Sequence, residues 1–244
     1  MFRKGLFLAI VTVSVLLMSA AGLTDGYNPP QVGECLQYKV YIKSMMHGAD
    51  QTVRVVESSN YKERPVLRIQ SNMDTVGLAK TITKYREWEE IILDLEGLYP
   101  WVIRRQVSDK DGLESEEVAF DYANGLAVRT VSKNGGAKEQ TAIQVPGYVQ
   151  DVLSLQFYLR KNIALGNNQI YFYSDGEIRK ISYQGTENQE LLTLECGEFK
   201  KHYQINNAEQ KITILLSATP ERYPLVIRKI GKIGKIEAKL VGIK

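Results

Sequence analysis

The chain has 244 residues, of which 44% are hydrophobic, with 31 lysines and arginines against 28 aspartates and glutamates. This near balance of charge provides no general attraction to nucleic acid, so a nucleic-acid-binding protein is not expected. The length is sufficient for one good hydrophobic core, and no proline- or serine-rich linker divides it.

Residues 1–22 have the layout of a cleaved secretory signal peptide. Arg3 and Lys4 form a basic start, an apolar run covers residues 6–18, and small residues follow. The run is too short to cross a bilayer, and no cysteine follows it that could carry a lipid anchor. Without this segment, 29 basic and 28 acidic residues remain. We therefore expect a single β-rich domain over residues 23–244, soluble and either periplasmic or secreted.

Alternation of apolar and polar residues predicts β-strands along most of the chain. Tyr38, Val40 and Ile42 form the apolar face of the first strand, and a turn at residues 47–50 leads to its hairpin partner. Later predicted strands cover residues 66–73, 84–90 paired with 91–95, 101–107, 116–122, 126–131, 168–173, 177–184, 190–195, 200–206, 211–217 and 225–244. The last one is predicted as a bulged strand with lysines at a sheet edge. The fold class is mainly β, a meander forming a curved antiparallel sheet or half-open barrel.

One segment, residues 148–162, has helical spacing instead. Val149, Val152, Leu153 and Phe157 recur every three or four residues, and further apolar residues occupy the other sides. Because this helix is apolar nearly all round, we expect it in the concavity of the sheet rather than on the surface. The candidate ligand-binding residues are Tyr148, Val152, Leu155, Tyr158, Leu159, Trp88 and Trp101. Residues 76–83 are a weaker candidate for a second short helix.

Motifs for catalysis or for metal and cofactor binding are missing from the sequence. His47 and His202 are its only histidines, which is too few for a typical zinc site, and no cofactor is expected. No Ser-centred nucleophile elbow or glycine-rich phosphate loop occurs.

Acidic residues around Trp88 support an alternative function. Glu87, Glu89 and Glu90 flank this aromatic residue, and Asp94 and Glu96 follow. The arrangement resembles a sugar-stacking aromatic among carboxylates that could hydrolyse glycosides. The more ordinary interpretation is that alternating charges form the solvated face of strands.

Two cysteines, Cys35 and Cys196, could form a disulfide in an exported protein. Such a bridge would close a long loop, but Cys35 lies on the opposite strand face from the apolar residues Leu36 and Tyr38. The sequence leaves the disulfide open.

Several short segments together resemble an exported bacterial family of unknown function, DUF3108. They are residues 33–38, 93–100, 120–122, 150–160, 196–199 and 222–225, followed by Gly234. The resemblance spans nearly all of the chain after the signal segment, although the two cysteines are not part of the family pattern. It implies export and a mostly β domain, and it implies no activity.

A looser similarity is to periplasmic lipoprotein carriers, in which a curved antiparallel sheet wraps a helical lid over an apolar cavity. The leading hypothesis is a non-enzymatic envelope protein that binds or carries a lipid-like or amphipathic ligand. The partner would be a lipid, a lipoprotein or an envelope glycan. The alternatives are a carboxylate-based glycan-processing enzyme and a structural envelope assembly factor. The ligand and the oligomeric state stay open.

Overall fold

The computed structural model describes residues 26–231 and 234–244. The predicted signal segment at residues 1–22 therefore lies outside the described residues. Within them, no helix has the length and apolar character that crossing a membrane would require.

The described chain forms seventeen β-strands and two α-helices. The first half comprises β1 (Cys35–Ile42), β2 (Met46–Tyr61), β3 (Arg64–Thr75), α1 (Gly77–Thr83), β4 (Arg86–Asp94), β5 (Pro100–Asp109), β6 (Gly112–Asp121), β7 (Leu126–Lys133) and β8 (Glu139–Gln144). The second half comprises β9 (Val149–Gln150), α2 (Val152–Lys161), β10 (Gly166–Ser174), β11 (Glu177–Asn188), β12 (Leu192–Leu194), β13 (Gly197–Phe199), β14 (His202–Asn207), β15 (Ile212–Ser217), β16 (Pro224–Gly231) and β17 (Gly234–Ile243).

Fifteen of these strands form one large curved sheet, and β12 pairs only with β13. The strand order is β8-β7-β6-β5-β4-β3-β2-β1-β17-β16-β15-β14-β11-β10-β9, so β8 and β9 are its end strands. All pairs are antiparallel except β9 with β10. The first and last strands of the described chain are neighbours, with Tyr38 opposite Leu240 and Val40 opposite Ala238. The mainly β, curved antiparallel fold is therefore as predicted.

An apolar ladder crosses five neighbouring strands and forms the centre of the core. Val55 lies opposite Ile69, which lies opposite Ile91. Ile103 and Val118 continue the row on β5 and β6. Each of the five side chains is at most 3% exposed. Burying aliphatic groups of this size stabilises a fold by about 1.5–3 kcal/mol per side chain, so the ladder is a major source of stability.

The helix α2 is buried on two flanks. Leu153 and Phe157 belong to the same apolar cluster as the ladder. Leu155 and Leu159 belong to a second cluster, formed with residues of β10, β11, β14 and β15. Val152 is 48% exposed.

The helix is shorter than the predicted range of 148–162. Val149 and Gln150 instead form β9, parallel to β10. The helix begins at Val152 because Asp151 caps its first turn.

Other boundaries also differ from the prediction. The first hairpin turns at residues 43–45 rather than 47–50, where Lys43 and Ser44 adopt positive φ angles of 51° and 63°. Residues 84–95 contain one strand, β4, rather than a pair. Residues 225–244 form two strands of a hairpin, and both lie inside the sheet rather than at an edge. The short helix expected at residues 76–83 is confirmed, since α1 covers Gly77–Thr83.

Candidate functional site

The N-terminal end of α2 is held by a reciprocal pair of hydrogen bonds. The Asp151 carboxylate accepts hydrogen bonds from the backbone N–H of Ser154 at 2.8 Å and of Leu153 at 3.3 Å. The Ser154 hydroxyl in turn accepts one from the Asp151 N–H at 2.9 Å. Asp151 and Ser154 are both buried. This capping box satisfies amide groups that a helix leaves unpaired, and it determines where α2 begins.

The C-terminal end of α2 is held by two arginines. Arg160 is fully buried and donates to both carboxylate oxygens of Glu34, at 2.6 and 3.0 Å, and to the Glu221 carbonyl at 2.8 Å. Arg222 donates to the Arg160 carbonyl at 3.0 Å, which is one of the oxygens left unpaired at a helix end. The N-terminal end of α2 is therefore fixed by a local capping box, and its C-terminal end by polar contacts to distant segments.

An apolar crevice lies beside one flank of α2. Leu155 and Leu159 face residues of the second cluster there, including Ile181 and Ile214. The remaining space is about 20 Å³, which is close to the volume that a single water needs. The helix side chains therefore nearly fill the crevice.

A much larger groove, with a volume of about 1080 Å³, adjoins this crevice. Tyr183, Asn207 and Ile212 line both, so the two spaces are neighbours. Six amide side chains line the groove: Asn167, Asn168, Gln169, Gln184, Asn206 and Asn207. We call this space, with the crevice, the amide groove.

The charges at the amide groove are positive. Lys211 and Arg228 line it, and no carboxylate is among its described lining residues. Arg228 donates to Glu237 at 3.2 Å through Nη2. Its buried Nε has no hydrogen-bond partner within the described part of the chain. A buried donor without a partner is costly to the folded state.

The structure does not bring all of the predicted ligand-binding residues together. Leu155 and Leu159 line the crevice of the amide groove, and Tyr158 packs against both apolar clusters. Val152 lies exposed. The remaining three residues, Tyr148, Trp88 and Trp101, lie elsewhere.

Tyr148 and Trp101 belong to a cluster of aromatic side chains. Tyr148 stacks on Tyr99 with a ring-centre distance of 4.0 Å, and Trp101 contacts Tyr99 and Tyr122 edge-on. The Trp101 indole donates to the Asp94 carboxylate at 3.3 Å. These contacts give both residues a packing role within this cluster.

The carboxylates near Trp88 do not form one constellation with it. Glu87 and Glu89 alternate with Trp88 along β4, so they lie on the opposite face of the sheet. Glu90 shares the face of Trp88 and is paired with Arg104 at 3.0 Å. Asp94 is fully buried, and the Glu96 side chain is 78% exposed. The structure therefore separates the residues that the glycan-processing alternative requires together.

A different pair of carboxyl groups meets inside the structure. Glu89 lies opposite Arg105 and Ser71 in the sheet and is hydrogen-bonded to Asp151, the residue that caps α2. Burial, followed by the charge and hydrogen bond of Asp151, raises the pKa of Glu89 well above its usual value. Glu87, on the same face, pairs with Arg105 at 2.7 Å. Sequence analysis missed the pair because its two residues lie on distant elements.

Asp94 has the opposite electrostatic environment. Burial alone would raise its pKa, but hydrogen bonds from Arg64, the Gly97 backbone N–H and Trp101 lower the pKa to about 2. The Arg64 guanidinium lies 2.7 Å from the carboxylate. Asp94 is therefore ionised, and its carboxylate holds the loop after β4 through the hydrogen bond from the Gly97 N–H.

The cysteines and histidines show no metal cluster. Cys35 and Cys196 are free thiols in the structure. Cys196 donates to the Leu240 carbonyl at 3.3 Å, and burial raises the pKa of its thiol. His47 contacts Asp50 at 2.7 Å. Among residues 26–231 and 234–244, no three His, Cys, Asp or Glu side chains are grouped to hold a metal ion.

Comparison with solved structures shows a fold shared with a β-barrel-like protein. A β-barrel-like DUF1849 protein from Brucella abortus aligns over 89% of this chain and 99% of its own, at 10% identity and a TM-score of 0.52. A DUF1089 protein from Pseudomonas aeruginosa aligns over 73% and 88% at 11% identity, with a TM-score of 0.41. A Bacteroides fragilis protein with a YmcC-like fold aligns over 89% and 98% at 9% identity, with a TM-score of 0.33. No curated protein matches the chain.

Comparison with family models confirms the resemblance found in the sequence. The model described as a protein of unknown function, DUF3108, matches residues 37–241. Several of the resembling segments contribute to the ends of α2, among them Glu34, Asp151 and Arg222. Because the match covers most of the chain, this protein belongs to the DUF3108 family.

Proposed function

We propose that the chain is an exported envelope protein that binds an amphipathic, anionic ligand without converting it chemically. In this proposal residues 1–22 direct export, and residues 23–244 form one domain. The observation that carries the proposal is that an apolar crevice and a large groove lined by amides and two cations share three lining residues. Binding sites for small molecules commonly combine apolar walls with a few well-placed polar groups.

The two parts of the amide groove fit the two parts of such a ligand. We infer that α2 occupies the hollow of the curved sheet and presents Leu155 and Leu159 to the crevice. Because the crevice is nearly filled, the apolar part of the ligand would lie at its mouth, against Tyr183 and Ile212. The amide side chains would bond hydroxyl or carbonyl groups of the head.

The charge of the lining favours a negative head group. Lys211 and Arg228 offer charge-assisted hydrogen bonds, and no described lining residue repels an anion. Hydrogen bonds of this kind are about twice as strong as neutral ones. A neutral amphiphile with a similar chain would therefore bind more weakly.

Isothermal titration calorimetry with two probes tests the proposal. Dodecanoate serves as the anionic amphiphile and dodecyl maltoside as the neutral one, both below their critical micelle concentrations. We expect dodecanoate to bind more tightly, and the double variant Lys211→Gln with Arg228→Gln to weaken its binding by about tenfold. The matched control, Lys180→Gln with Lys200→Gln, removes two exposed lysines outside the groove lining. Equal losses in both double variants, or no binding of either amphiphile, would refute the proposal.

A further inference from the structure

A group of exposed apolar side chains lies at one rim of the sheet. Met45 is 85% exposed, Leu78 73%, Ile82 70%, Ile230 52% and Met46 41%. Large aliphatic side chains are seldom left this exposed in groups unless they contact a partner. We call these five residues the rim patch.

The backbone places the members of the rim patch together. Met45 and Met46 lie at the turn between β1 and β2. The helix α1, which carries Leu78 and Ile82, is tied to this hairpin by a hydrogen bond from the Val76 N–H to the Gly48 carbonyl at 2.9 Å.

The side of α1 that faces the sheet is covered by packing. The sheet-facing residue of α1, Ala79, is 4% exposed, and its methyl group faces the position above Gly48. The neighbours Leu78 and Ile82 are therefore on a part of α1 that packing against the sheet leaves uncovered.

The β16–β17 hairpin extends the same rim to the amide groove. The Lys43 N–H donates to the Lys235 carbonyl at 2.7 Å, and Lys235 lies opposite Ile230. Ile230 itself lines the amide groove. The rim patch and the groove therefore share one end of the sheet.

Positive charges flank the rim patch. Lys43 follows β1, Lys80 lies in α1, and Lys84 is the residue that ends α1. None of the three forms a salt bridge within the described residues. Lys80 and Lys84 line a second groove, which has a volume of about 620 Å³. Two carboxylates line it as well: Asp74, which pairs with Arg86 at 2.7 Å, and Asp109.

We propose that this rim docks on the surface of an anionic phospholipid membrane. Aliphatic side chains on a hairpin turn and on a short helix would enter the interface, while the three lysines meet lipid phosphates. Such interfacial binding combines buried apolar area with attraction to anionic lipids. The proposal goes beyond ligand binding in the amide groove, because docking needs no ligand, and it would place the groove next to the membrane.

Vesicle co-sedimentation tests the proposal with the protein from residue 23 onward. We expect binding to vesicles of phosphatidylglycerol and phosphatidylethanolamine, little binding to phosphatidylcholine vesicles, and a loss of binding as salt is raised. The triple variant Met45→Ser, Leu78→Ser, Ile82→Ser should lower the partition coefficient at least tenfold, since apolar area drives insertion. The double variant Lys80→Gln, Lys84→Gln should lower it by about fivefold per lysine.

Two controls separate docking from other causes. Leu165→Ser with Leu191→Ser removes exposed leucines outside the rim patch and should leave binding unchanged. The Lys211→Gln, Arg228→Gln variant, which tests the amide groove, should lower vesicle binding much less than the triple variant does, although Lys211 lies next to Ile230. If it loses vesicle binding while the triple variant keeps it, the groove and not the rim contacts lipid, and the docking proposal is wrong.

A direct depth measurement completes the test. Tryptophan at position 78, introduced as Leu78→Trp, should be quenched by brominated lipid acyl chains in anionic vesicles, whereas Leu191→Trp should not. Equal quenching of the two variants, or the absence of vesicle binding by the unmodified protein, would overturn the proposal. A purified protein that instead forms a dimer through the rim patch would show concentration-dependent mass and no vesicle binding, which also contradicts it.

Discussion

Arg160 and Glu34 form a bidentate ion pair that joins α2 to the segment before β1. Arg160 Nη1 lies 2.6 Å from Glu34 Oε1, and Nη2 lies 3.0 Å from Oε2. The guanidinium is fully buried, and the Glu34 side chain is 10% exposed. Removing one member of a buried pair leaves the other charge without compensation, which is far more damaging than losing a surface pair.

We therefore expect Glu34→Ala to lower the free energy of unfolding by about 3–5 kcal/mol in urea denaturation. The control is Glu195→Ala, which breaks the Lys39–Glu195 pair, where both side chains are at least 36% exposed. Its loss should be at most about 1 kcal/mol. Similar losses in the two variants would show that Arg160 finds another partner when Glu34 is absent.

The pairing of Glu89 with Asp151 predicts a pH dependence of stability. The native state holds the Glu89 proton more tightly than the unfolded chain, because the pKa is raised well above 4.5. The native state therefore binds more protons than the unfolded state above pH 4.5, so Glu89 makes the free energy of unfolding fall as pH rises through its raised pKa.

Glu89→Gln removes this ionisation and keeps an amide donor for Asp151. Urea denaturation between pH 5 and pH 9 should show a flatter profile for the variant, with higher stability than the unmodified protein at the alkaline end. Glu57→Gln, at an exposed position paired with Arg68, serves as the control and should retain the original slope. A parallel shift of the whole Glu89→Gln profile would contradict the prediction.

Asp94 predicts the opposite dependence at acid pH. Its pKa is lowered from 3.8 to about 2, so the ionised form stabilises the native state above pH 3.8, and that contribution is lost as pH falls towards 2. Asp94→Asn should reduce the free energy of unfolding at pH 7 by about 2 kcal/mol and flatten the acid limb of the melting-temperature profile. Asp74→Asn, at an exposed ion pair, should change both quantities little. An unchanged acid limb in Asp94→Asn would assign acid unfolding to other carboxylates.

Gly185 allows the segment after α2 to pass close to β11. A methyl group at this position would lie 2.3 Å from the Ala164 carbonyl oxygen, whereas one at Gly231 would meet no atom of the described residues within 4 Å. Gly185→Ala should therefore destabilise the protein by about 1–3 kcal/mol, through the backbone shift that it forces. Gly231→Ala is the matched control and should be nearly neutral. Equal melting temperatures for the two variants would indicate that the segment after α2 moves aside easily.

Period-two patterning in the sequence predicts the strands well because it depends only on which residues of each strand face the core. Tyr38, Val40 and Ile42 illustrate this, since alternation alone identifies their strand. The pattern does not locate turns with the same accuracy. Lys43 and Ser44 form the first turn, although neither is a glycine or an asparagine. The sequence pattern therefore predicts this turn at residues 47–50 instead.

The candidate site was predicted only in part. Leu155 and Leu159 are candidates because they add apolar surface on other sides of the expected helix, and both line the crevice of the amide groove. The amides and cations of that groove come from β10, β11, β14, β15 and β16 and from the loops beside them. No short motif connects them, because their proximity depends on strand order.

The sequence by itself determined a mainly β fold, the region of the apolar helix, and the family, because these depend on local periodicity and on the order of short segments. Tertiary structure decided that β1 pairs with β17, that Glu34 meets Arg160 across 126 positions, and that Glu89 meets Asp151. The physical reason is that strand register and sheet curvature are set by the whole core at once. Polar residues with no periodic pattern acquire their partners only when that core forms.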